Sequence, residues 1–159
     1  MYLNKTNLFL VISICLIFFF LTYYDVKSSE LKIIDGDTIH IKGEKIRFSG
    51  IDTPEIKQTC DKNSEVIKCG IQAKELLVKK IGNKKINCVR EGKDQYKRTL
   101  AECFINDLSL SSYLVKSGYA FAYRKYSKKF IVDEDFARSN NLGMWSMKFE
   151  YPWDWRKKN

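Results

Sequence analysis

The sequence predicts an α+β domain, a five-stranded β-barrel of the OB type with three helices. Segments rich in β-branched residues come as a group of three, followed by a helical pattern, a hairpin and two further helical patterns. Five antiparallel strands with a helix between the third and the fourth are typical of a small closed barrel of this type. A chain of 159 residues is long enough for one hydrophobic core and too short for two.

The first three strands are predicted from short runs in which apolar residues cluster or alternate with polar ones. These runs cover residues 31–34, 38–41 and 45–51. Residues 42–44, Lys-Gly-Glu, supply a tight turn between the second and third strands, because glycine adopts the backbone angles that such turns need. Residues 53–70 are polar and include a proline, so we expect a long loop there.

The rest of the domain shows helical spacing interrupted by one hairpin. Apolar residues within 71–81 fall on one helical face, and Gly82 follows as a stop signal. A hairpin is expected after this helix, with two more helices after the hairpin. The hairpin covers residues 84–90 and 98–105, and the helices cover about 107–118 and 127–140.

An almost unbroken apolar run near the start of the chain indicates export. Residues 8–24 are longer than the apolar core of a typical signal peptide and marginal for a membrane-spanning helix. We expect residues 1–28 to be a signal peptide, which we favour, or an N-terminal membrane anchor. Either one exports the folded domain, residues 29–146, and its aromatic and basic C-terminal tail, residues 147–159. The protein would then be secreted or periplasmic, or held at the membrane by residues 8–24.

The predicted domain is strongly basic. The full chain has 28 Lys and Arg against 19 Asp and Glu, a formal net charge of +9, and only Lys5, Asp25 and Lys27 are charged within the export segment. A small basic domain favours polyanionic partners such as nucleic acid or an anionic membrane surface. Charge alone does not choose between these two partners.

Four cysteines lie in the predicted domain, and an even number in an exported domain indicates two disulfides. Cys88 and Cys103 are placed symmetrically about the turn at residues 94–97, so a hairpin would bring them face to face. That pairing leaves Cys60 with Cys69, which would close a polar loop. A four-cysteine zinc site is disfavoured because the chain has no Cys-x-x-Cys pair.

Carboxylates and arginines concentrate in three short segments. These are residues 35–38, Arg47 together with 50–55, and 94–98, and the later stretches 117–120, 137–138 and 142–145 complete the pattern. Taken singly, each has an ordinary explanation as a turn, a loop or a solvent-facing arginine. Together and in this order they resemble the thermonuclease, or staphylococcal-nuclease-like, family over roughly residues 31–145.

The resemblance implies a metal site. Asp37 and Asp52, with the backbone carbonyl of Thr53, match the family's metal ligands, and Asp35 adds negative potential nearby. Ligation by oxygen alone suits a hard cation such as Ca²⁺. Hydrolysis of an anionic phosphodiester needs such charge neutralisation, together with a positioned water.

The resemblance also implies catalytic and substrate-binding residues. Glu55 matches the family's general base, three residues after a metal ligand. Arg47 and Arg98 match the pair that grips the scissile phosphate, because planar guanidinium groups form bidentate hydrogen bonds that lysine does not reproduce. Tyr96 and Tyr123 match positions that contact the nucleotide.

The implied protein is a calcium-dependent endonuclease in an exported, disulfide-containing branch of the family, and we expect a monomer because nothing in the sequence indicates an obligate interface. It would hydrolyse DNA and RNA with little sequence preference and leave 3′-phosphate ends. The alternative is a non-catalytic OB-fold module that only binds nucleic acid. The acidic cluster argues against this alternative, because a pure binder of polyanions gains nothing from carboxylates beside its phosphate grip.

Overall fold

A six-stranded sheet forms the centre of the computed structural model, which describes residues 31–159. The predicted signal peptide or anchor therefore lies outside the described residues. Within residues 31–159 the strands are β1 (Lys32–Ile33), β2 (Thr38–Ile41), β3 (Glu44–Phe48), β4 (Ile51–Asp52), β5 (Cys60–Lys62), β6 (Glu65–Ile67), β7 (Asn87–Lys93), β8 (Thr99–Ile105), β9 (Leu108–Ser109) and β10 (Phe121–Ala122).

The main sheet has the order β1-β2-β3-β8-β7, with β9 paired to β8. Its strands pair antiparallel except β3 and β8, which run parallel with Ile46 opposite Thr99. Parallel neighbours need a long connection between them. Here that connection includes the predicted loop at 53–70, the helix after it, and β7.

The α+β class is confirmed, but no closed barrel is seen. Among residues 31–159, β1 and β7 end the pairing path of the main sheet and do not pair with each other. The predicted first strand shrinks to Lys32–Ile33. The predicted strand at 45–51 divides in two, because Gly50 turns the chain with a φ of 72°. As a result β4 leaves the main sheet and pairs with β10.

The described residues contain four α-helices where three were predicted. They are α1 (Cys69–Ile81), α2 (Leu110–Lys116), α3 (Ile131–Ser139) and α4 (Pro152–Lys158), with a 3₁₀ helix at Gly143–Ser146. The additional helix, α4, lies in the segment interpreted as a tail and begins with Pro152, a residue suited to a first helical turn. Within residues 31–159 no helix is long and apolar enough to cross a membrane.

Two groups of apolar side chains stabilise this arrangement. The larger one joins the sheet to α1 and α2 and includes Ile39, Phe48 and Leu77. The smaller one surrounds the fully buried Phe121 and takes in aromatic side chains on both sides of it in the sequence. These are Tyr119, Trp145, Phe149, Tyr151 and Trp153. Residues 147–159 therefore pack onto the domain rather than project from it.

Both expected disulfides are present. Cys88 and Cys103 occupy paired positions of β7 and β8, as the hairpin argument predicted. Cys60, the first residue of β5, is bonded to Cys69, the first residue of α1. The second bond therefore closes a short β-hairpin, β5-β6, which sequence analysis interpreted as loop because its residues are polar.

Candidate active site

The candidate active site is a group of carboxylates where β2, β3 and β4 meet. Asp37 directly precedes β2, Arg47 lies in β3 opposite Thr38, and Asp52 ends β4. The two aspartates are 1% and 0% exposed. Burying ionised carboxylates costs free energy unless cations or several hydrogen bonds compensate for the lost water. The surrounding residues must therefore provide those partners.

Arg47 joins the two aspartates. Its Nη1 donates to Asp37 Oδ1 at 2.5 Å, and its Nη2 donates to Asp52 Oδ1 at 2.6 Å. Burial opposes the charge of Arg47, but Asp37 and Asp52 outweigh that effect and raise the pKa of the guanidinium above its usual value. Arg47 is therefore a permanent cation between two buried anions.

Asp37 also fixes the residues around it. Its Oδ2 accepts the backbone N–H of Thr53 at 2.9 Å, which ties the end of β4 to the start of β2. The backbone N–H of Asp37 in turn donates to Asp35 Oδ1 at 3.0 Å. Burial first, and then the charge of Asp37, raise the pKa of Asp35 to about 6. The negative charge of Asp35 is thus sensitive to pH just below neutrality.

Glu55 lies on the loop after β4, and a buried glutamine holds the backbone there. Gln58 is fully buried, and its Oε1 accepts the Glu55 N–H at 3.2 Å. The Gln58 N–H donates back to the Glu55 carbonyl at 2.8 Å. The side-chain Nε2 of Gln58 donates to the carbonyl of Glu150 at 2.7 Å, so this loop is bonded to the C-terminal segment.

The nearby disulfide gives a test of how this loop is held. Replacing Cys60 and Cys69 together by serine is expected to lower the free energy of unfolding by about 3 kcal/mol, and to speed amide hydrogen exchange in residues 53–59. The matched control replaces Cys88 and Cys103, with a similar loss of stability and unchanged exchange in the loop. Urea unfolding and hydrogen-exchange mass spectrometry measure both effects. Equal loop exchange in the two variants would contradict the expectation.

Arg156 of α4 reaches the same carboxylates. Its Nη2 donates to Asp52 Oδ2 at 2.6 Å, and its Nη1 donates to Asp52 Oδ1 at 3.2 Å and to Glu55 Oε1 at 2.8 Å. Burial opposes its charge, but the hydrogen bonds to Asp52 and Glu55 raise the pKa of Arg156 further. For Asp52, burial raises the pKa more than these bonds lower it.

Arg98 lies apart from this group in the described contacts. Its Nε donates to Asp94 Oδ2 at 2.6 Å, and its backbone N–H donates to Asp94 Oδ1 at 2.9 Å. Both residues belong to the β7–β8 turn, in which Lys97 has a φ of 63°. This left-handed conformation is one that glycine adopts more readily than a residue with a side chain. The pairing with Asp94 leaves both terminal nitrogens of Arg98 available to a further ligand.

The two tyrosines differ in exposure. Tyr96 is 71% exposed, and the Arg98 guanidinium carbon lies 5.4 Å from the centroid of the Tyr96 ring. Tyr123 stacks on Trp153 of α4, with ring centroids 5.5 Å apart and planes within 1°. The same helix carries Arg156, so Tyr123 packs against the element that reaches the acidic cluster.

Comparison with known proteins identifies the family. Residues 45–147 match the family model described as staphylococcal nuclease homologue. The chain belongs to this family. The matched range includes Arg47, Asp52, Glu55 and Arg98. Asp37 lies before this range and Arg156 lies after it.

Similar proteins support the same assignment. The probable staphylococcal-like nuclease CAN2 of Oryza sativa subsp. japonica is 33% identical over 124 residues, 76% of this chain and 31% of the relative. An uncharacterized endonuclease of Haemophilus influenzae is 30% identical over 136 residues, 80% of this chain and 71% of the relative. The staphylococcal-like nuclease CAN1 of Arabidopsis thaliana is 31% identical over 125 residues. The chain spans about a third of the length of the plant relatives.

The donor set of this staphylococcal nuclease homologue fits a divalent cation in ligand type, while Arg47 and Arg156 already pair with its two aspartates. In residues 31–159 no three His, Cys, Asp or Glu side chains are arranged as a complete metal site. The expected set, however, has two carboxylates and a backbone carbonyl, and leaves the other positions to water or substrate. Asp37 Oδ2 and Asp52 Oδ2 each accept one hydrogen bond, from Thr53 and Arg156, and a carboxylate oxygen can accept two. Each therefore retains a free lone pair.

Two residues of this site were missed by sequence analysis. Gln58 lies in a polar segment, where glutamine ordinarily faces solvent, and nothing in its pattern signals burial. Arg156 belongs to a run of basic residues that is usually solvated. The one available signal was the alternation of aromatic residues before it, which is typical of a segment that packs on an apolar surface.

Proposed function

We propose that this protein is an exported, calcium-dependent endonuclease that hydrolyses phosphodiester bonds of DNA and RNA with little sequence preference and leaves 3′-phosphate ends. The observation that supports it best is Arg47, held between buried Asp37 and Asp52 with Glu55 on the adjoining loop. An arginine beside carboxylates suits hydrolysis of an anionic ester, because the reaction needs groups that stabilise developing charge. A protein that only binds polyanions gains nothing from the carboxylates. The two disulfides fit an oxidising compartment, and we propose a monomer.

The proposed substrate contacts use the arginine donors that remain. Arg47 uses one N–H of each terminal nitrogen on the aspartates, which leaves the second N–H of each for a phosphate oxygen. Arg98 offers both terminal nitrogens, and exposed Tyr96 beside it offers a ring face for a base. Contacts to phosphate and to base faces carry little sequence information, which supports the broad specificity proposed.

In the proposed reaction Glu55 accepts the proton of the attacking water. Its carboxylate is 38% exposed, so water reaches it. The new bond forms between the water oxygen and phosphorus, the bond from phosphorus to the 5′-oxygen breaks, and the leaving oxygen takes up a proton from solvent. Asp37, Asp52 and the Thr53 carbonyl would hold Ca²⁺, which when bound supplies positive charge to the phosphate.

Metal removal tests the proposal directly. The purified full chain is incubated with supercoiled plasmid and with RNA, in calcium, in calcium with excess chelator, and in magnesium. We expect cleavage in calcium, background levels with chelator, and a large loss in magnesium, because magnesium demands a tighter octahedral shell than calcium. A folded chain that binds both nucleic acids but cleaves neither would favour the non-catalytic OB-fold binding module.

A further inference from the structure

The C-terminal helix α4 places a guanidinium between two residues with different proposed roles. Arg156 Nη1 is bonded at the same time to Asp52, a proposed metal ligand, and to Glu55, the proposed general base. Its Nη2 holds the second oxygen of Asp52 at 2.6 Å. One planar group thus sets where the Glu55 carboxylate lies relative to Asp52.

Glu55 depends on such a partner. The residue lies on an irregular loop, and Gln58 fixes only its backbone. Within residues 31–159, Arg156 supplies the hydrogen bond that the Glu55 carboxylate accepts. A half-exposed carboxylate without this bond would sample several rotamers, and a general base acts only within hydrogen-bonding reach of its proton.

The segment that carries Arg156 is firmly attached to the domain. Lys148 and Asp61 exchange two backbone hydrogen bonds of 2.8 Å, and Glu150 accepts a bond from buried Gln58. Trp153 stacks between Tyr123 and Tyr151, with centroids 5.5 Å and 4.6 Å away. These hydrogen bonds and stacked rings hold the segment that carries Arg156 against the domain.

We propose that Arg156 is a positioning residue, which holds the Glu55 carboxylate beside Asp52 in the geometry that proton transfer requires. The inference rests on the proposed function, because it gives Glu55 the role of general base. A guanidinium is suited to this task, since its rigid fork reaches two carboxylates at once, whereas an ammonium is a single point of charge.

The test uses the full chain with Arg156→Gln, Arg156→Lys and Arg156→Ala, and Lys157→Gln as the matched control. Lys157 is on the same helix and pairs only with Asp154 in the described contacts, so its replacement removes the same charge without touching the loop. We expect Arg156→Gln to lower kcat about 10- to 100-fold, as small misplacements of catalytic groups do, with KM changed less than about threefold. Lys157→Gln should behave as wild type.

Chemical rescue separates positioning from a general structural role. Guanidinium ion at low millimolar concentration should restore part of the kcat of Arg156→Ala, because it can enter the space that the side chain leaves. It should not restore Glu55→Gln, and Arg156→Lys should recover little. An Arg156→Gln variant with unchanged kcat would overturn the proposal. So would one with faster turnover and tighter calcium binding by calorimetry, which would make Arg156 a competitor of the cation.

A second readout keeps the inference separate from the proposed function. The side-chain carboxyl carbon of Glu55, followed by carbon-13 NMR, should become more mobile in Arg156→Gln and stay unchanged in Lys157→Gln. If the wild-type chain cleaves no nucleic acid, the proposed function fails, while the NMR result still decides whether Arg156 holds the Glu55 carboxylate. An unchanged Glu55 carboxyl signal in Arg156→Gln would overturn the positioning role even in an active nuclease.

Discussion

Replacing Glu55 by glutamine is expected to lower kcat about 100- to 10,000-fold, the usual contribution of a general base. Glutamine keeps the size of the side chain, and its Oε1 can still accept the hydrogen bond from Arg156 Nη1. The variant therefore loses basicity and little else. Initial rates on a short fluorogenic oligonucleotide measure the effect, and thermal unfolding followed by circular dichroism confirms that the fold is intact.

The control for this variant is Glu65→Gln. Glu65 is an exposed residue of β6, in the hairpin that follows the loop, so the change removes the same charge at a short distance along the chain. We expect its kcat to equal that of wild type. Turnover near the wild-type rate in Glu55→Gln would rule out Glu55 as the base.

The acidic cluster was predicted from the resemblance to the family, and it forms because its members are close in sequence. Asp37, Arg47 and Asp52 lie within 16 residues, and the turn between β2 and β3 places Arg47 opposite the start of β2. Local pairing of this kind follows from alternation and turn chemistry, which a sequence displays. Glu55 was predicted from its match to the family's general base, three residues after Asp52.

The contribution of α4 could not be predicted, since it depends on tertiary packing. Arg156 is 104 residues from Asp52 in sequence, and their contact exists because the aromatic residues before α4 pack around Phe121. Basic residues at the end of a chain are usually solvated, and no periodicity distinguishes this one. The division of the third predicted strand could not be predicted either, because a glycine such as Gly50 is compatible both with the end of a strand and with a turn.

Arg98 shows a different limit of sequence reasoning. Its identity and order in the chain match the family pattern, yet its described partner is Asp94 of its own turn. The sequence contained that pairing as well, four residues apart in a tight turn. A match of residue types therefore identifies Arg98 as a candidate phosphate ligand. The conformation of the turn determines which nitrogens of Arg98 remain available to the substrate.

Replacing Arg47 by lysine is expected to reduce both stability and catalysis. Lysine keeps the charge, but one ammonium cannot reproduce the two bonds that Arg47 makes to buried Asp37 and Asp52. We expect a loss of about 2 kcal/mol in the free energy of unfolding, because a buried carboxylate loses a direct partner. We also expect a loss of about 100-fold in kcat/KM, the scale for removing a preorganised donor to the transition state.

Arg90→Lys is the matched control for Arg47→Lys. Arg90 is also a strand arginine paired with a carboxylate, that of Glu44, but it is 62% exposed, and exposed ion pairs contribute little to stability. Urea unfolding and steady-state kinetics on both variants give the comparison. A kcat/KM for Arg47→Lys close to that of Arg90→Lys would show that positive charge suffices at this position. Arg47 would then stabilise the aspartates without gripping phosphate, and that task would pass to Arg98.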